Sequence, residues 1–205
     1  MTLSQLRRQC RLFLASETSW TDAMLDGFIN DGIRAYSNEF PRRLRHTLTL
    51  SAGVQGYALP GGHGFMRLLS VNFPAGQQPP CYLTQVEPWD PDLFTRVDVY
   101  ALHPVDDDVD ANADQVLRYI VFGRSVITGE KTILIYEAVH TILVNDDDVV
   151  TVPETHLEAI IAFVDFRAHW EAESDEAYSA ASSSLILSQL GENGRRAWNR
   201  WREIM

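Results

Sequence analysis

Cysteine is scarce: Cys10 and Cys81 stand alone among 205 residues. Two isolated thiols cannot build a disulfide framework, and structural zinc takes about four ligands in paired spacing. Both read as reduced, partly buried small hydrophobes. No apolar run approaches the roughly 18 residues of a membrane span, and the stretch around Arg7, Arg8 and Arg11 lacks a signal-peptide core, so a soluble, cytosolic product without a membrane partner is expected. Lysine is almost missing, Lys131 being the only one among 17 basic side chains, and by itself this carries no functional conclusion. Basic charge as a whole is outnumbered by 28 acids, for a net of -11. That balance argues against free-standing binding to DNA phosphates, which needs a Lys/Arg surface to displace counterions.

Catalytic signatures are absent as well. No GxSxG elbow, GxxxxGK[ST] phosphate loop, HExxH pair or GxGxxG after a strand occurs. Asp106, Asp108, Asp110, Asn112 and Asp114 place an oxygen at every second position. A calcium loop of the EF-hand type needs glycine at its sixth position and glutamate at its twelfth, where this chain has Ala111 and Leu117. The run therefore reads as a solvated acidic loop. Gly61-Gly62-His63-Gly64 reads as a turn, since no helix onset follows it. No enzyme activity, metal or cofactor is expected.

What is present is a clear sequence of periodicities. Leu3, Leu6, Cys10, Phe13 and Leu14 recur at helical steps behind a Thr2/Gln5 capping-box spacing, predicting a helix over about 3–15. Thr21 caps a second, over 22–39, whose face carries Leu25, Phe28, Ile29, Ile33, Tyr36 and Phe40 and which must stop before Pro41. The period then shifts to alternation. Thr47–Leu50 with Gly56–Leu59 reads as a short hairpin, and further strands are expected at 66–73, 116–122 and 132–137. Residues 74–80 read as a loop, 86–100 as holding one irregular helical turn, and 103–115 as a long acidic connection. Asn145-Asp-Asp-Asp148 is a second acidic knot. Pro153 then opens a helix, over 153–173, that is apolar on two stripes. A fourth helix is expected over 175–190, and Gly191 and Gly194 mark its end or a hinge. The fold class expected is α+β but mainly α: a helical bundle around one long apolar helix, decorated by a β-hairpin or small antiparallel sheet, with an extended C-terminal segment. In domain terms this is one domain over 1–190, with a β-rich insertion at about 45–140, and a docking segment over 191–205.

The order of these signals resembles the head-to-tail adaptor, or connector, proteins of tailed bacteriophages. The resemblance is carried by Trp20-Thr-Asp22 leading into Phe28-Ile-Asn-Asp-Gly-Ile33, the Asn38-Glu-Phe-Pro41 exit, and the pair Thr47–Leu50 and Tyr57–Pro60. It continues in Thr132-Ile-Leu-Ile-Tyr136, followed through an acidic linker by Val152-Pro153-Glu154 and Leu157–Ile161. Residues 75–115 depart from the family pattern and read as an insertion. The resemblance implies a non-enzymatic virion protein, assembled in the host bacterial cytoplasm as a ring, commonly of twelve subunits. Its implied partners are the portal protein, neighbouring adaptor subunits and the next neck or tail protein, with DNA as passing cargo only.

The chain's end fits a docking role. Trp198 and Trp201 share a helical face, flanked by Arg195, Arg196, Arg200 and Arg202, and interfaces are enriched in these residue types. The alternatives are docking to a partner, the portal first among them, or packing on the chain's own core. These last eleven residues, with four arginines against Glu203, are also the only concentrated basic stretch read at this stage. Asp106, Asp107, Asp108, Asp110, Asp146, Asp147 and Asp148 are candidates for a channel lining or a tail-facing rim, where carboxylates would repel passing phosphates. Acidity that merely keeps the subunit soluble is the other reading. A neck or scaffold-type interaction module without ring formation on a portal is the alternative function.

Overall fold

The computed structural model describes residues 1–14, 20–54, 56–60, 64–104, 118–178, 196 and 199–204. The chain divides into two compact units. One combines Met1–Pro41 with Val139–Met205, and the other is Arg42–Ala138.

The first unit is helical. Helix α1 (Leu3–Phe13) starts on the Thr2/Gln5 capping box, in which each side chain reaches the other residue's backbone N–H. Two of its remaining free amides are also used: Leu3 N–H donates to the Asp148 carbonyl and Ser4 N–H to that of Asp146. Helix α2 (Asp22–Glu39) is capped by Thr21, whose hydroxyl accepts the Met24 N–H, and ends at Glu39, with Phe40 as its C-cap just before Pro41. A 3-10 turn (Glu154–His156) leads into helix α3 (Leu157–Tyr178). Pro153 is thus the residue before that turn rather than the first helical one. Leu3, Leu6, Leu25, Ile29, Ile33 and Ile160 are fully buried together between the three helices. Gly32 sits where α2 meets α3, and a Cβ there would lie 3.2 Å from the Phe163 ring. The absent side chain therefore sets how closely the two helices approach.

The segment returning to this unit is tied to α2 by polar side chains. Asn30 donates to the Leu143 carbonyl and accepts the Leu143 N–H, both at 2.9 Å. Buried Ser37 donates to the Ile33 carbonyl and accepts the His140 N–H. The His140 ring lies 3.1 Å from both the Phe40 carbonyl and the Thr151 hydroxyl. These contacts satisfy backbone groups in a stretch whose β pairing is an isolated bridge between Val149 and Thr2.

The second unit is built from two sheets. Strand β1 (Arg42–Thr49), β2 (Gly56–Ala58), β3 (Phe65–Asn72), β4 (Thr84–Val86), β5 (Val99–Pro104), β6 (Arg118–Phe122) and β7 (Lys131–Ala138) follow in chain order. Three strands pair antiparallel in the order β1-β7-β3, and four form β2-β6-β5-β4, with β4 and β5 parallel. Leu50, Val71, Phe73, Ile120, Phe122 and Leu134 bury the space between the sheets. On the other face of the four-stranded sheet, a 3-10 turn (Pro91–Phe94) inserts Leu93 against Val99 and Ala101. Strand β5 is therefore buried on both sides, which its sequence does not advertise by alternation.

Three expectations are corrected here. The class is α+β, but not a mainly helical bundle with a β decoration: residues 42–138 bury a core of their own between two sheets. Nor is α3 a central helix enclosed by others. Its Leu157, Ile160, Ile161, Val164 and Ala168 stripe is buried, whereas Trp170 on the second stripe is 55% exposed. Thr47–Leu50 and Gly56–Leu59 do not form a hairpin, because β1 pairs with β7 and β2 with β6. The turn between them carries Gly53 at φ 80° and hands the chain from one sheet to the other. In addition, α3 runs through Ser174 and Asp175 to Tyr178 without the break expected there, while the rest of the fourth predicted helix lies outside the described residues.

Candidate interaction surfaces

The acidic knot at 145–148 is engaged locally. The Asp148 carboxylate accepts the N–H groups of Val144 at 2.7 Å and Asn145 at 2.8 Å, which holds its pKa below the usual carboxylate range. Asp146 pairs with Arg7 at 2.9 Å. Asp146 and Asp147 are both exposed, Asp146 while paired with Arg7. Asp106, Asp107, Asp108 and Asp110 lie outside the described residues.

Arg7 itself is a convergence the sequence did not reveal. Its Nε and Nη2 grip both oxygens of Asp26 at 2.8 and 2.7 Å, and Asp22 lies 3.5 Å from Nη1. With only 11% of its side chain exposed, it joins α1, α2 and the acidic knot. Asp26, through that hydrogen bond, raises the guanidinium pKa above its ordinary value despite burial.

At the C-terminal end, residues 199–204 are helical. Arg200 bonds Asp165 of α3 at 3.0 Å, where His169 also approaches at 3.4 Å. The half-buried Trp201 ring meets Phe163 edge-on, centroids 5.9 Å apart. Arg196 and Arg202 are exposed. The segment thus rests on α3 through Arg200 and Trp201 while Arg202 stays exposed. Arg195 and Trp198, like the Gly191 and Gly194 hinge, lie outside the described residues.

A second basic region escaped the sequence reading. In the three-stranded sheet, register places Arg43, Glu137 and Arg67 directly opposite one another, and Arg45 and Lys131 fall on the same face by strand parity. Arg43 and Arg67 are 76% and 70% exposed and flank the buried carboxylate of Glu137 at 3.7 and 2.5 Å. Arg67 holds the Glu137 carboxyl below its ordinary pKa. The missed signal was Arg42-Arg43-Leu44-Arg45-His46, a basic strand in an acidic chain. At the other side of this unit the turn after β4 is acidic and aromatic. Trp89, Phe94 and Val97 are 80%, 68% and 66% exposed, beside Glu87, Asp92 and Asp98.

A cavity of about 290 Å³ lies beneath Phe94, lined by Gly53, Val54, Val121 and Val126. Its ionisable lining residue, Arg124, lies over the Phe73 ring at 4.8 Å and 3.7 Å from Glu130. No acid and base converge there. Among the described residues no group of three His, Cys, Asp or Glu side chains is placed to hold a metal ion, and no helix is long and apolar enough to cross a membrane.

Two small packed units whose prominent surface features are paired charges and exposed aromatics carry the residue types found at protein interfaces. The chain belongs to the SU10 adaptor protein family, whose model matches residues 1–203. It is a phage head-to-tail adaptor: a structural component of the virion that contacts other head and tail proteins, in a family that is not an enzyme family. No curated protein matches the chain.

Proposed function

We propose that this adaptor forms a homo-oligomeric ring of twelve copies below the portal and links it to the next neck or tail protein, with DNA passing through its bore. The observation that carries the reading is the C-terminal helical segment, seated on α3 with Arg202 exposed, in a chain that belongs to an adaptor family. Arg200 and Trp201 rest on α3, and Arg202 on the same short helix is exposed, where a partner can reach it. The portal is the partner proposed, docked by residues 195–202 with Trp198 as its aromatic anchor and Trp201 holding the segment on α3. Carboxylates along the bore would deny phosphates a counterion-release gain, so that DNA slides instead of sticking. Asp147 and the acidic run from Asp106 to Asp110 are the residues proposed for the bore or the tail-facing rim.

The test is the mass of the complex formed with the portal ring of the same phage, for the full chain and for one truncated after Leu190. A multi-copy ring with the full chain alone supports both the ring and the docking segment. Binding by neither chain overturns the ring reading and favours a neck or scaffold module. Binding by both keeps the ring and assigns the C-terminal segment to another partner.

A further inference from the structure

We infer that neighbouring copies of this chain pair head to tail through the second unit: the cationic outer face of β1-β7-β3 on one copy receives the acidic, aromatic turn Glu87–Asp98 of the next. This rests on the ring reading and names the surfaces that would build it.

Three observations point the same way. The sheet face carries Arg43, Arg45, Arg67 and Lys131 against the single carboxylate of Glu137, in a chain whose net charge is -11. Its natural counterpart is an acidic protein surface, and this chain supplies one. The turn presents Glu87, Asp90, Asp92 and Asp98 against Arg96, and Arg96 is already paired with Asp98 at 2.8 Å. Beside those charges stand Trp89 and Phe94, 80% and 68% exposed and borne on a turn anchored by buried Leu93. Large rigid aromatics in contact with arginine stems are the usual make-up of an interface centre. The acidic turn and the cationic face are different surfaces, so the pairing is heterologous, the kind of contact that builds a ring when its rotation closes and a filament when it does not. A C2 dimer would instead require one self-complementary patch.

Arg45→Glu/Lys131→Glu reverses the sheet face without touching the Arg43–Glu137–Arg67 row. Glu87→Arg/Asp92→Arg reverses the turn and spares Asp90, which caps it through the Asp92 N–H at 2.8 Å. Each variant, folded as judged by its circular dichroism, should assemble on the portal ring about tenfold more weakly than wild type at low salt. Mixed one to one, the two should recover assembly, since every junction in an alternating ring then joins opposite charges. A single chain with all four substitutions should recover it too. If the charges of β1 only guard an exposed strand edge, the first variant assembles as wild type does and the inference fails. Loss in both variants without rescue on mixing also overturns it. A wild type that forms no ring removes the ring reading and this inference together, whereas a wild-type ring unaffected by either reversal removes the inference alone.

Discussion

Replacing Arg7 by methionine should cost the helical unit about 2–3 kcal/mol, although the new side chain fills much of the same space. Arg7 makes a two-pronged bond to Asp26, whose side chain is 25% exposed, and a single bond to Asp146, which is 73% exposed. Breaking one side of a fully buried pair costs about 3–5 kcal/mol because the remaining charge is left without a partner. Asp26 is only partly shielded, so its share falls to about 2 kcal/mol, within the range of charge-assisted hydrogen bonds. Asp146 can rehydrate and adds about 0–1 kcal/mol, as an exposed pair does. Urea unfolding followed by far-UV circular dichroism is the assay. With a slope of about 2–3 kcal/mol per molar, the midpoint of the helical unit should fall by about 1 M at unchanged slope. Lysine at the same position should fall between the two, since a point charge cannot hold both oxygens of Asp26 in the fork geometry. A loss below about 0.5 kcal/mol, or one abolished by about 1 M salt, would refute the argument, because a shielded pair is screened far less than a surface one.

Other perturbations probe separate parts of the structure. Alanine at Gly123 would put its Cβ 2.2 Å from the Leu93 carbonyl and 2.6 Å from that of Arg96, both backbone atoms. The turn over the four-stranded sheet must then lift, at a cost of about 1–3 kcal/mol or more, seen as faster hydrogen exchange at Leu93 and Gly123. Asp148→Asn should lower stability at neutral pH and flatten its decline in acid. The depressed native pKa of Asp148 contributes stability that is complete above its unfolded value of about 4 and lost as pH falls through the native one, which urea midpoints measured from neutral pH downward would reveal. Finally, burial pushes the Cys10 thiol up to about 12, so maleimide or iodoacetamide should label Cys81 in the native protein and Cys10 only when the helical unit opens. Equal labelling of both would contradict the packing of α1.

The acidic knot shows how a feature legible in the sequence acquires local contacts that the sequence does not display. Three consecutive aspartates read as rim candidates, and two of them also make contacts within the chain: Asp148 accepts the N–H groups of the Val144–Asn145 loop, and Asp146 pairs with Arg7 of α1. The C-terminal Trp/Arg pattern is likewise real in composition. Only the fold shows that Trp201 and Arg200 rest on α3 while Arg196 and Arg202 are exposed.

The sequence by itself determined the elements whose causes are local. The Thr2/Gln5 box, the Thr21 cap, the stop before Pro41 and the apolar stripe from Leu157 to Ala168 depend on residues within one or two turns, and the structure places helix starts, a helix end and a buried face there. Strands β3, β6 and β7 were likewise legible, because alternation or an apolar run is written into each stretch. Tertiary structure alone decided what each strand pairs with. A strand completes its hydrogen bonds with whichever edge the rest of the chain presents, so β1 found β7 some 90 positions away, and the adjacent β2 joined the other sheet. The same holds for charge: Arg7, Asp26 and Asp146, or Arg43, Glu137 and Arg67, meet only because the fold brings distant positions to one place. Side-chain chemistry fixes what such groups can do, but their proximity is a property of the packed chain.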